Sequence, residues 1–337
     1  MTRSTADPST YTMRQALHAA FDSALAEDQR VLIMGEDVAD PAGGVNGLTS
    51  GLSTKYGHDR VRDTPISEAA IAGAAIGAAL EGMLPVAEIM IMDFIGIALD
   101  QIANHAAKLR FASAGRTPCP VTFRTAVYGG TGNGATHSQS LEAWFMQVPG
   151  LKVIMPSTPA DAEGLLRSAI FDPDPCVFID ETALHGVKGP RLETPDRKIP
   201  LGRADVKRSG DDVTVITYGR GVRDALAAAE ALAADGISAE VIDLRTLVPL
   251  DLPTVLGSVA RTRRAVVTHY AVEFAGPGAE LAARISSDLF GQLAAPVVRV
   301  GTRYTPIPAS AGLEAQVYPN AARIEQAVRE VVGDNRG

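Results

Sequence analysis

Short apolar runs alternate with helical patterns along most of this sequence, and the alternation limits the folds that it can adopt. Runs typical of buried strands occur at 31–34, 84–89, 121–124, 152–155, 176–180, 212–217, 238–243, 264–268 and 296–300. Helical patterns occur at 11–27, 68–82, 95–112, 141–147, 161–170, 222–234, 278–289 and 321–332. Alternation of this kind favours mostly parallel sheets with helices on both faces, which predicts an α/β protein.

The segment 183–202 interrupts the alternation with a polar stretch rich in glycine and proline. That composition is typical of a linker. A chain of 337 residues is also long enough to form two cores of ordinary size. We therefore predict two three-layer α/β domains, at 1–182 and 203–337, joined by a linker at 183–202.

Composition argues against several classes of function. A net charge of −8 and a pI near 5.3 do not favour nucleic acid as a partner, since phosphate binding needs clustered basic surface. Cys119 and Cys176 are far apart, which predicts buried thiols in a reducing compartment. The N-terminus has no apolar signal, and the charge-free run 69–80 is shorter than the roughly 20 residues of a membrane span. We expect a cytoplasmic protein with no membrane partner.

Glu68 is an isolated acid at the start of a helix made almost entirely of alanine, glycine and isoleucine, which Ser67 or Thr64 can cap. An apolar environment disfavours a charged carboxylate, so an acid in such a place suits a group that shares a proton near neutral pH. The residues alone also allow a simpler interpretation, because an acid in the first helical turn is stabilised by the helix dipole. Gly73 and Gly77 lie on one face of the same helix and would allow a close helix crossing.

Two further candidates follow predicted strands. Met90 and Phe94 come after the strand 84–89, at the carboxyl end where α/β sheets place ligands. A flat ring and a thioether there suit stacking on an aromatic ligand, although core packing uses the same residue types. Glu36 follows the strand 31–34 in a Gly-Glu-Asp sequence, which from the residues alone is typical of a solvated turn.

A glycine-rich loop at 128–137 delivers one titratable side chain, His137. The loop does not match a nucleotide-binding fingerprint, because no G-x-G-x-x-G opens an apolar helix and no phosphate-loop lysine follows. A lone loop histidine is usually an ordinary surface residue. The alternative is that the loop shapes the mouth of a site, in which His137 acts as a proton donor or acceptor.

These motifs together resemble one known family. The stretch 61–101, with Glu68, Glu88-Ile-Met-Ile-Met-Asp-Phe94 and Asp100-Gln101, is similar to the pyrimidine-binding domain of thiamine diphosphate enzymes. It most resembles the beta subunit of the thiamine-dependent component of 2-oxo acid dehydrogenase complexes. The resemblance covers essentially the whole chain and implies a transketolase-type C-terminal domain after the pyrimidine-binding domain.

The resemblance also implies a role for each motif. The residue matching Glu68 bonds a ring nitrogen of the cofactor's aminopyrimidine and so helps to activate the thiazolium carbon. The residue matching His137 faces the substrate and assists acyl transfer. The implied cofactor-binding residues are Glu36, Ile66, Glu68, Met90 and Phe94. A structural potassium ion is implied near a turn of oxygen-rich residues, at Val121, Ala169, Ile170, Asp172 and Asp174.

A motif that single-chain thiamine enzymes carry is missing. The sequence contains no Gly-Asp-Gly, so the resemblance implies that a separate alpha subunit supplies the ligands for magnesium and diphosphate, in an alpha2–beta2 assembly. Two positions depart from the family: Tyr270 replaces a common glutamate in a His-Glu-Ala motif, and Ala126 replaces a common proline.

The implied function is oxidative decarboxylation of a 2-oxo acid, with transfer of the acyl group to the lipoyl domain of an acyltransferase. Cleavage of acetoin, a split transketolase-like carboligase and a non-catalytic partner subunit remain alternatives. The presence of Glu68, Phe94 and His137 argues against the last of these.

Overall fold

The computed structural model describes residues 10–194 and 196–333, which form two compact units. The first unit contains the chain up to Ala126 together with Val148–Leu201, and the second contains Val127–Gln147 and the chain from Gly202 onward. The predicted domain ends at 1–9 and 334–337, and Pro195 of the predicted linker, lie outside the described residues. The predicted domain limits therefore stay a prediction, and the structure adds that the loop carrying His137 belongs to the second unit.

A mainly parallel sheet forms the centre of the first unit. The strands of this unit are β1 (Thr10–Thr12), β2 (Val31–Gly35), β3 (Val61–Asp63), β4 (Leu84–Ile89), β5 (Thr122–Val127), β6 (Lys152–Ile154), β7 (Cys176–Glu181) and β8 (Lys188–Pro190). The order within the large sheet is β6-β7-β5-β4-β2-β3. β2 is parallel to both β3 and β4, β4 to β5, and β6 to β7. The carboxyl ends of these strands therefore lie at one edge of the sheet.

Helices cover both faces of this sheet. The α-helices of the first unit are Met13–Glu27, Leu52–Tyr56, Glu68–Leu80, Ala107–Ala112 and Pro159–Ile170. Met13–Glu27 and Pro159–Ile170 pack on each other and share a buried core with alternate residues of the strands, such as Ile33 and Val86. Glu68–Leu80 packs on β4 outside that core, so it covers the opposite face.

The second unit repeats the α/β arrangement. Its strands are β9 (Asp205–Arg208), β10 (Val213–Thr217), β11 (Ala239–Asp243), β12 (Thr246–Val248), β13 (Ala265–Val272) and β14 (Val298–Thr302). The sheet order is β14-β13-β10-β11-β9, parallel except for β9. Its helices are Glu142–Met146, Gly221–Ala234, Leu252–Thr262, Pro277–Asp288, Ala311–Val317 and Ala321–Val332. The prediction of two α/β domains is confirmed.

The structure corrects three local predictions. The predicted helix 95–112 is instead a 3₁₀ helix at Met92–Ala98, a π-helix at Gln101–Ala106 and an α-helix at Ala107–Ala112. Its first buried residues are spaced by three, which matches the 3₁₀ repeat and not the 3.6 of an α-helix. The side chains of Ser67 and Thr64 do not cap the Glu68 helix, because Ser67 makes no capping bond and the Thr64 hydroxyl has no partner. Part of the predicted linker forms β8, which is antiparallel to β1.

Candidate active site

Glu68 begins the helix Glu68–Leu80, as predicted, and is only 7% exposed. The next buried side chains of this helix, Ile71, Ala72 and Ala75, are all apolar. Among the described residues no hydrogen-bond donor reaches the Glu68 carboxylate. A nearly buried carboxylate without a donor is costly, so the position suits an acid that receives its partner from a ligand.

Glu36 supplies a second carboxyl group close to the first. It follows β2 directly and is half-buried. Burial raises the pKa of Glu36, and the nearby charges of Glu68 and Asp37 raise it further. Glu36 therefore holds a proton more readily than an exposed glutamate does, and it lies beside a second carboxyl group. The turn after β2 is therefore part of the candidate site.

Gly35 shows how tightly the strand end before Glu36 is built. A Cβ atom at this position would lie 2.6 Å from the carbonyl oxygen of Glu88 on the neighbouring strand β4. Only glycine allows this approach without movement of the backbone. The place of Glu36 thus depends on the contact between β2 and β4.

The aromatic and aliphatic candidates lie near the same edge of the first unit. Met90 follows β4 directly and Phe94 lies in the 3₁₀ helix that comes next, and both side chains are half-buried. Ile66, two residues before Glu68, is 82% exposed, which is unusual for so large an apolar side chain. The three side chains present apolar surface that is available to a ligand or a partner.

His137 lies in the second unit, in the loop between β5 and the helix Glu142–Met146. Its ring nitrogen Nδ1 lies 3.0 Å from the hydroxyl of Thr136, and its backbone N–H donates to the carbonyl of Gly134 at 3.4 Å. The ring is half-buried. Gly134 has a positive φ of 75°, a conformation that glycine adopts without strain. The loop therefore presents one imidazole in a defined local turn.

Two side chains that contact this loop were not identified from the sequence. Arg220 donates to the carbonyl of Gly129 at 2.8 Å, and Glu314 accepts from the backbone N–H of Gly130 at 2.7 Å. Arg220 and Glu314 are respectively 91 and 184 residues from the atoms that they bind. No local motif marks them, and only the fold brings them to the loop.

A buried ion network in the first unit was also missed. Arg124 is fully buried and forms ion pairs with Glu88 and Asp180. His185 lies 2.6 Å from the other oxygen of Asp180. Burial alone would raise the pKa of Asp180, but Arg124 and His185 outweigh it and hold the pKa below its usual value. The available signal was one charged residue within each of β4 and β5 and an acidic pair at the end of β7, since these three strands are neighbours.

The five residues of the implied potassium site also lie in the first unit. The carboxylates of Asp172 and Asp174 are occupied by cations, with Lys152 2.6 Å from Asp172 and Arg110 paired with Asp174. The carbonyl of Val121 accepts one bond from Cys176, and that of Ala169 accepts one from Asp172. Each carbonyl retains a second lone pair, so backbone oxygens are the available ligands for an ion at this turn.

Two other features are absent from the described residues, namely a metal-binding group of side chains and a membrane-spanning helix. No group of three or more histidine, cysteine or acidic side chains is arranged to hold a metal ion in this part of the chain. Within the same residues, no helix has the length and apolar character needed to cross a membrane.

Comparison with known proteins identifies the family. The family described as "Transketolase, pyrimidine binding domain" matches residues 9–185, and "Transketolase, C-terminal domain" matches residues 202–324. This chain belongs to the beta-subunit family of the 2-oxo acid and acetoin dehydrogenases. The acetoin:2,6-dichlorophenolindophenol oxidoreductase subunit beta of Cupriavidus necator is 43% identical over 95% of this chain and 97% of that protein. The resemblance inferred from the motifs is confirmed.

Relatives with other names are equally similar. The mitochondrial pyruvate dehydrogenase E1 component subunit beta of Caenorhabditis elegans is 43% identical over 97% of this chain and 94% of its own length. The 2-oxoisovalerate dehydrogenase subunit beta of Bacillus subtilis is also 43% identical, over 94% and 97%. A solved structure, "Split gene transketolase, inactive beta4 tetramer", has a TM-score of 0.80 at 24% identity over 96% of this chain and 99% of that chain, which supports the fold.

Proposed function

We propose that this chain is the beta subunit of a thiamine diphosphate-dependent dehydrogenase that decarboxylates a 2-oxo acid and passes the acyl group to a lipoyl domain. The observation that carries the proposal is Glu68, a nearly buried carboxyl group that no donor among the described residues reaches, beside a second acid whose pKa is raised. Family membership supplies the expected ligand for that acid.

The residues of the first unit fit the aminopyrimidine end of thiamine diphosphate. The cofactor, when bound, supplies a carbon nucleophile that attacks the carbonyl group of a 2-oxo acid. Glu68 would hydrogen-bond a ring nitrogen and hold or release its proton, and Glu36 would keep the local field negative. Phe94 would stack on the ring, while Met90 and Ile66 would fill the space beside it and exclude water.

His137 would act on the substrate. An imidazole can donate a proton to the oxygen of the 2-oxo acid or hold that oxygen by a hydrogen bond, and can later assist transfer of the acyl group. The side chain is half-buried, so it is both accessible and partly shielded from water. In this proposal Glu68 prepares the cofactor and His137 serves the steps that involve substrate.

The site requires a second polypeptide. The chain carries no Gly-Asp-Gly, so we place the magnesium and diphosphate ligands on an alpha subunit in an alpha2–beta2 assembly. Gly77 is exposed, and a Cβ atom there would meet nothing within 4 Å among residues 10–194 and 196–333. That open helix face suits a close crossing with a partner subunit. The proposed complex also contains a lipoyl acyltransferase, and potassium is proposed at the turn containing Asp172 and Asp174.

Acetoin cleavage is a second candidate, because relatives with that name are as similar as those named for pyruvate. The test is reconstitution of this chain with its alpha subunit, thiamine diphosphate and magnesium. Turnover is measured on pyruvate, branched-chain 2-oxo acids and acetoin with an artificial electron acceptor, and then with a lipoyl domain.

We expect turnover of one substrate class only when both chains are present, with reductive acylation of the lipoyl domain. Decarboxylation by this chain alone would contradict the shared site. Carbon–carbon bond formation without any transfer to lipoamide would instead support the carboligase alternative.

A further inference from the structure

The loop that carries His137 is held by side chains that come from three distant parts of the second unit. The loop has almost no regular secondary structure of its own, so its conformation depends on these contacts. If His137 acts in the substrate steps, as the proposed function has it, the position of its imidazole must be fixed. The residues that contact the loop are the candidates for fixing it.

Arg220 packs against a pair of neighbouring aromatic rings and reaches the loop backbone. The centre of its guanidinium group is 3.5 Å from the ring centroid of Tyr270 and 4.5 Å from that of Tyr318. One of its nitrogens, Nη1, donates to the carbonyl of Gly129 at 2.8 Å. The two ring centroids are 5.3 Å apart, so the rings also support each other. Contact with both rings restricts the guanidinium group, and the loop carbonyl therefore has a donor in a defined place.

Glu314 holds the next turn of the loop with both carboxylate oxygens. Its Oε1 accepts from the backbone N–H of Gly130 at 2.7 Å, and its Oε2 accepts from that of Gly132 at 3.0 Å. The side chain is 3% exposed. Hydrogen bonds between a carboxylate and backbone N–H groups are stronger than neutral ones, especially where water is excluded.

The glycines of the loop are required by these same side chains. A Cβ atom at Gly129 would lie 2.5 Å from the hydroxyl of Tyr318, and one at Gly130 would lie 2.5 Å from Nη1 of Arg220. Gly130 also has a φ of +89°, which side chains rarely allow. The loop and the residues around it are therefore fitted to each other at close contact.

The contacts fall on both sides of His137. Arg220 and Glu314 hold residues 129–132, before the histidine. Tyr318 donates its hydroxyl to the carbonyl of Ser138, directly after the histidine, at 3.4 Å. The ring of Tyr270 is in turn oriented by a hydrogen bond from its hydroxyl to Asp224. A segment held at both ends presents its central side chain in one place.

We propose that Arg220, Tyr270, Tyr318 and Glu314 form a loop clamp, a set of positioning residues that fixes His137 for the substrate steps. The clamp also explains the departure at position 270. Tyr270 provides one of the rings against which Arg220 packs, which a glutamate at this position could not do.

The test uses the reconstituted enzyme with Glu314→Gln, Arg220→Lys and Arg220→Met. Glutamine has one acceptor oxygen where the carboxylate has two, so one of the two loop N–H groups loses its partner. Lysine keeps the charge without the planar group. Matched controls are Glu230→Gln and Arg223→Lys, which alter exposed side chains of the helix Gly221–Ala234.

The first readout is backbone hydrogen exchange of the peptide covering residues 128–137. We expect exchange at Gly130 and Gly132 to rise at least about 10-fold in Glu314→Gln, and exchange around Gly129 to rise in the order Arg220→Lys, then Arg220→Met. The controls should leave it unchanged. Tyr318→Phe keeps the ring and removes the hydroxyl that donates to Ser138, so it serves as a milder variant that preserves packing.

The second readout is kinetic. We expect kcat in the clamp variants to fall about 10- to 100-fold with a smaller change in KM, because a displaced imidazole slows a step more than it weakens binding. Proton exchange at the thiazolium carbon should stay near the wild-type rate, and Arg220→Lys should recover part of the loss seen in Arg220→Met.

Unchanged loop exchange in Glu314→Gln and Arg220→Met would overturn the clamp, whatever the activity. Faster loop exchange with unchanged kcat, in an enzyme that His137→Ala slows, would show that the contacts do not position the histidine and would also overturn it. Full activity of His137→Ala would overturn the proposed role of His137 instead, and with it the positioning role, while loop exchange would still report whether the contacts hold the loop.

Discussion

The helix that begins at Glu68 and the loop that carries His137 prepare a reactive side chain in opposite ways. The helix surrounds its acid with alanine and isoleucine and offers it no donor among the described residues. The loop is bound through its backbone by Arg220 and Glu314, while its imidazole has a hydroxyl neighbour at Thr136.

The difference corresponds to two kinds of chemistry. The proposed role of Glu68 is to hydrogen-bond a cofactor nitrogen, which suits a carboxyl group that no donor among the described residues occupies. The proposed role of His137 is to act on the substrate, and for that role the imidazole needs a fixed position. In the helix, apolar surroundings prepare the side chain, whereas in the loop, contacts to the backbone fix its position. Substitutions in the two regions should therefore have different effects.

Glu68→Gln should have the largest effect. The amide keeps the size and shape of the side chain and removes the shared proton, so we expect turnover and proton exchange at the thiazolium carbon to fall by about 10³-fold or more. Thermal stability should change little, because the carboxylate has no hydrogen bond within the described residues to lose. The matched control is Glu81→Gln, an exposed acid just beyond the other end of the helix. Normal exchange at the thiazolium carbon in Glu68→Gln would show that Glu68 is not the acid that activates this carbon.

His137→Ala should affect only the substrate steps. General acid–base groups typically contribute 10²- to 10⁴-fold, and we expect a fall of kcat in about that range with thiazolium exchange retained. Rapid-mixing measurements with the true substrate separate decarboxylation from acyl transfer. His58→Ala, at an exposed histidine of the first unit, is the control. Loss of cofactor binding in His137→Ala would contradict the assignment of Glu68 to the cofactor and of His137 to the substrate.

Gly77→Leu tests whether the helix of Glu68 is also an assembly surface. A leucine side chain at this position has open space among the described residues, and leucine is a better helix former than glycine. The free energy of unfolding of the isolated chain should therefore change by no more than about 1 kcal/mol. In a close crossing the same side chain overpacks the interface. We expect the alpha2–beta2 species to be lost in sedimentation experiments, while Gly77→Ala assembles more nearly normally. Normal assembly of Gly77→Leu would place the partner elsewhere.

Arg124→Met tests the buried ion network of the first unit, in which Arg124 pairs with Glu88 and Asp180. Removing the cation leaves Glu88 and Asp180 buried without Arg124, although His185 still contacts Asp180, and we expect a loss of about 3–5 kcal/mol in the free energy of unfolding. Arg30→Met removes an exposed pair with Asp28 and should cost much less. Denaturant unfolding compares the two. Similar small losses would show that the buried network adds little to stability.

Features that depend on residues close in sequence could be predicted from the sequence, whereas contacts between distant residues could not. The helix start at Glu68, the strand before Glu36 and the α/β alternation depend on neighbours in sequence, and periodicity indicated all three. The break of the helix at 92–112 was missed because a run of apolar residues fits several helical repeats. Only the spacing of the buried side chains in the folded chain separates these repeats.

The contacts that sequence reasoning could not supply are those made across long separations. Arg124 meets Glu88 because β4 and β5 pair in a particular register, and Glu314 meets Gly130 across 184 residues. Composition marks such residues only as charges in unexpected places. The glycines of the loop were recognised as conformationally free, but their need for close approach became visible only beside Arg220 and Tyr318.

The smallest expected effect concerns His269, a buried histidine of the second unit that is apart from the loop. Burial lowers its pKa from 6.5 to about 4, although a bond to the carbonyl of Ala271 opposes the shift. The unfolded chain therefore binds a proton between these pH values that the folded chain does not. Its contribution to stability is complete above pH 6.5 and is lost as the pH falls toward 4. The slope is at most about 1.4 kcal/mol per pH unit, or roughly 3 kcal/mol in all.

The slope of stability against pH isolates this effect from any packing loss. In His269→Gln a change in packing shifts the whole curve by a constant, whereas removal of the titrating group flattens it between pH 6.5 and 4. Denaturant unfolding at several pH values gives both numbers, and His58→Ala, at an exposed position, should leave the slope unchanged. If His269→Gln keeps the wild-type slope, other groups cause the acid sensitivity. If the slope flattens, the second unit contains both a side chain whose pKa is set by burial and a loop that is held by contacts. The contrast then holds between the helix of Glu68 and the loop of His137, and not between the two units.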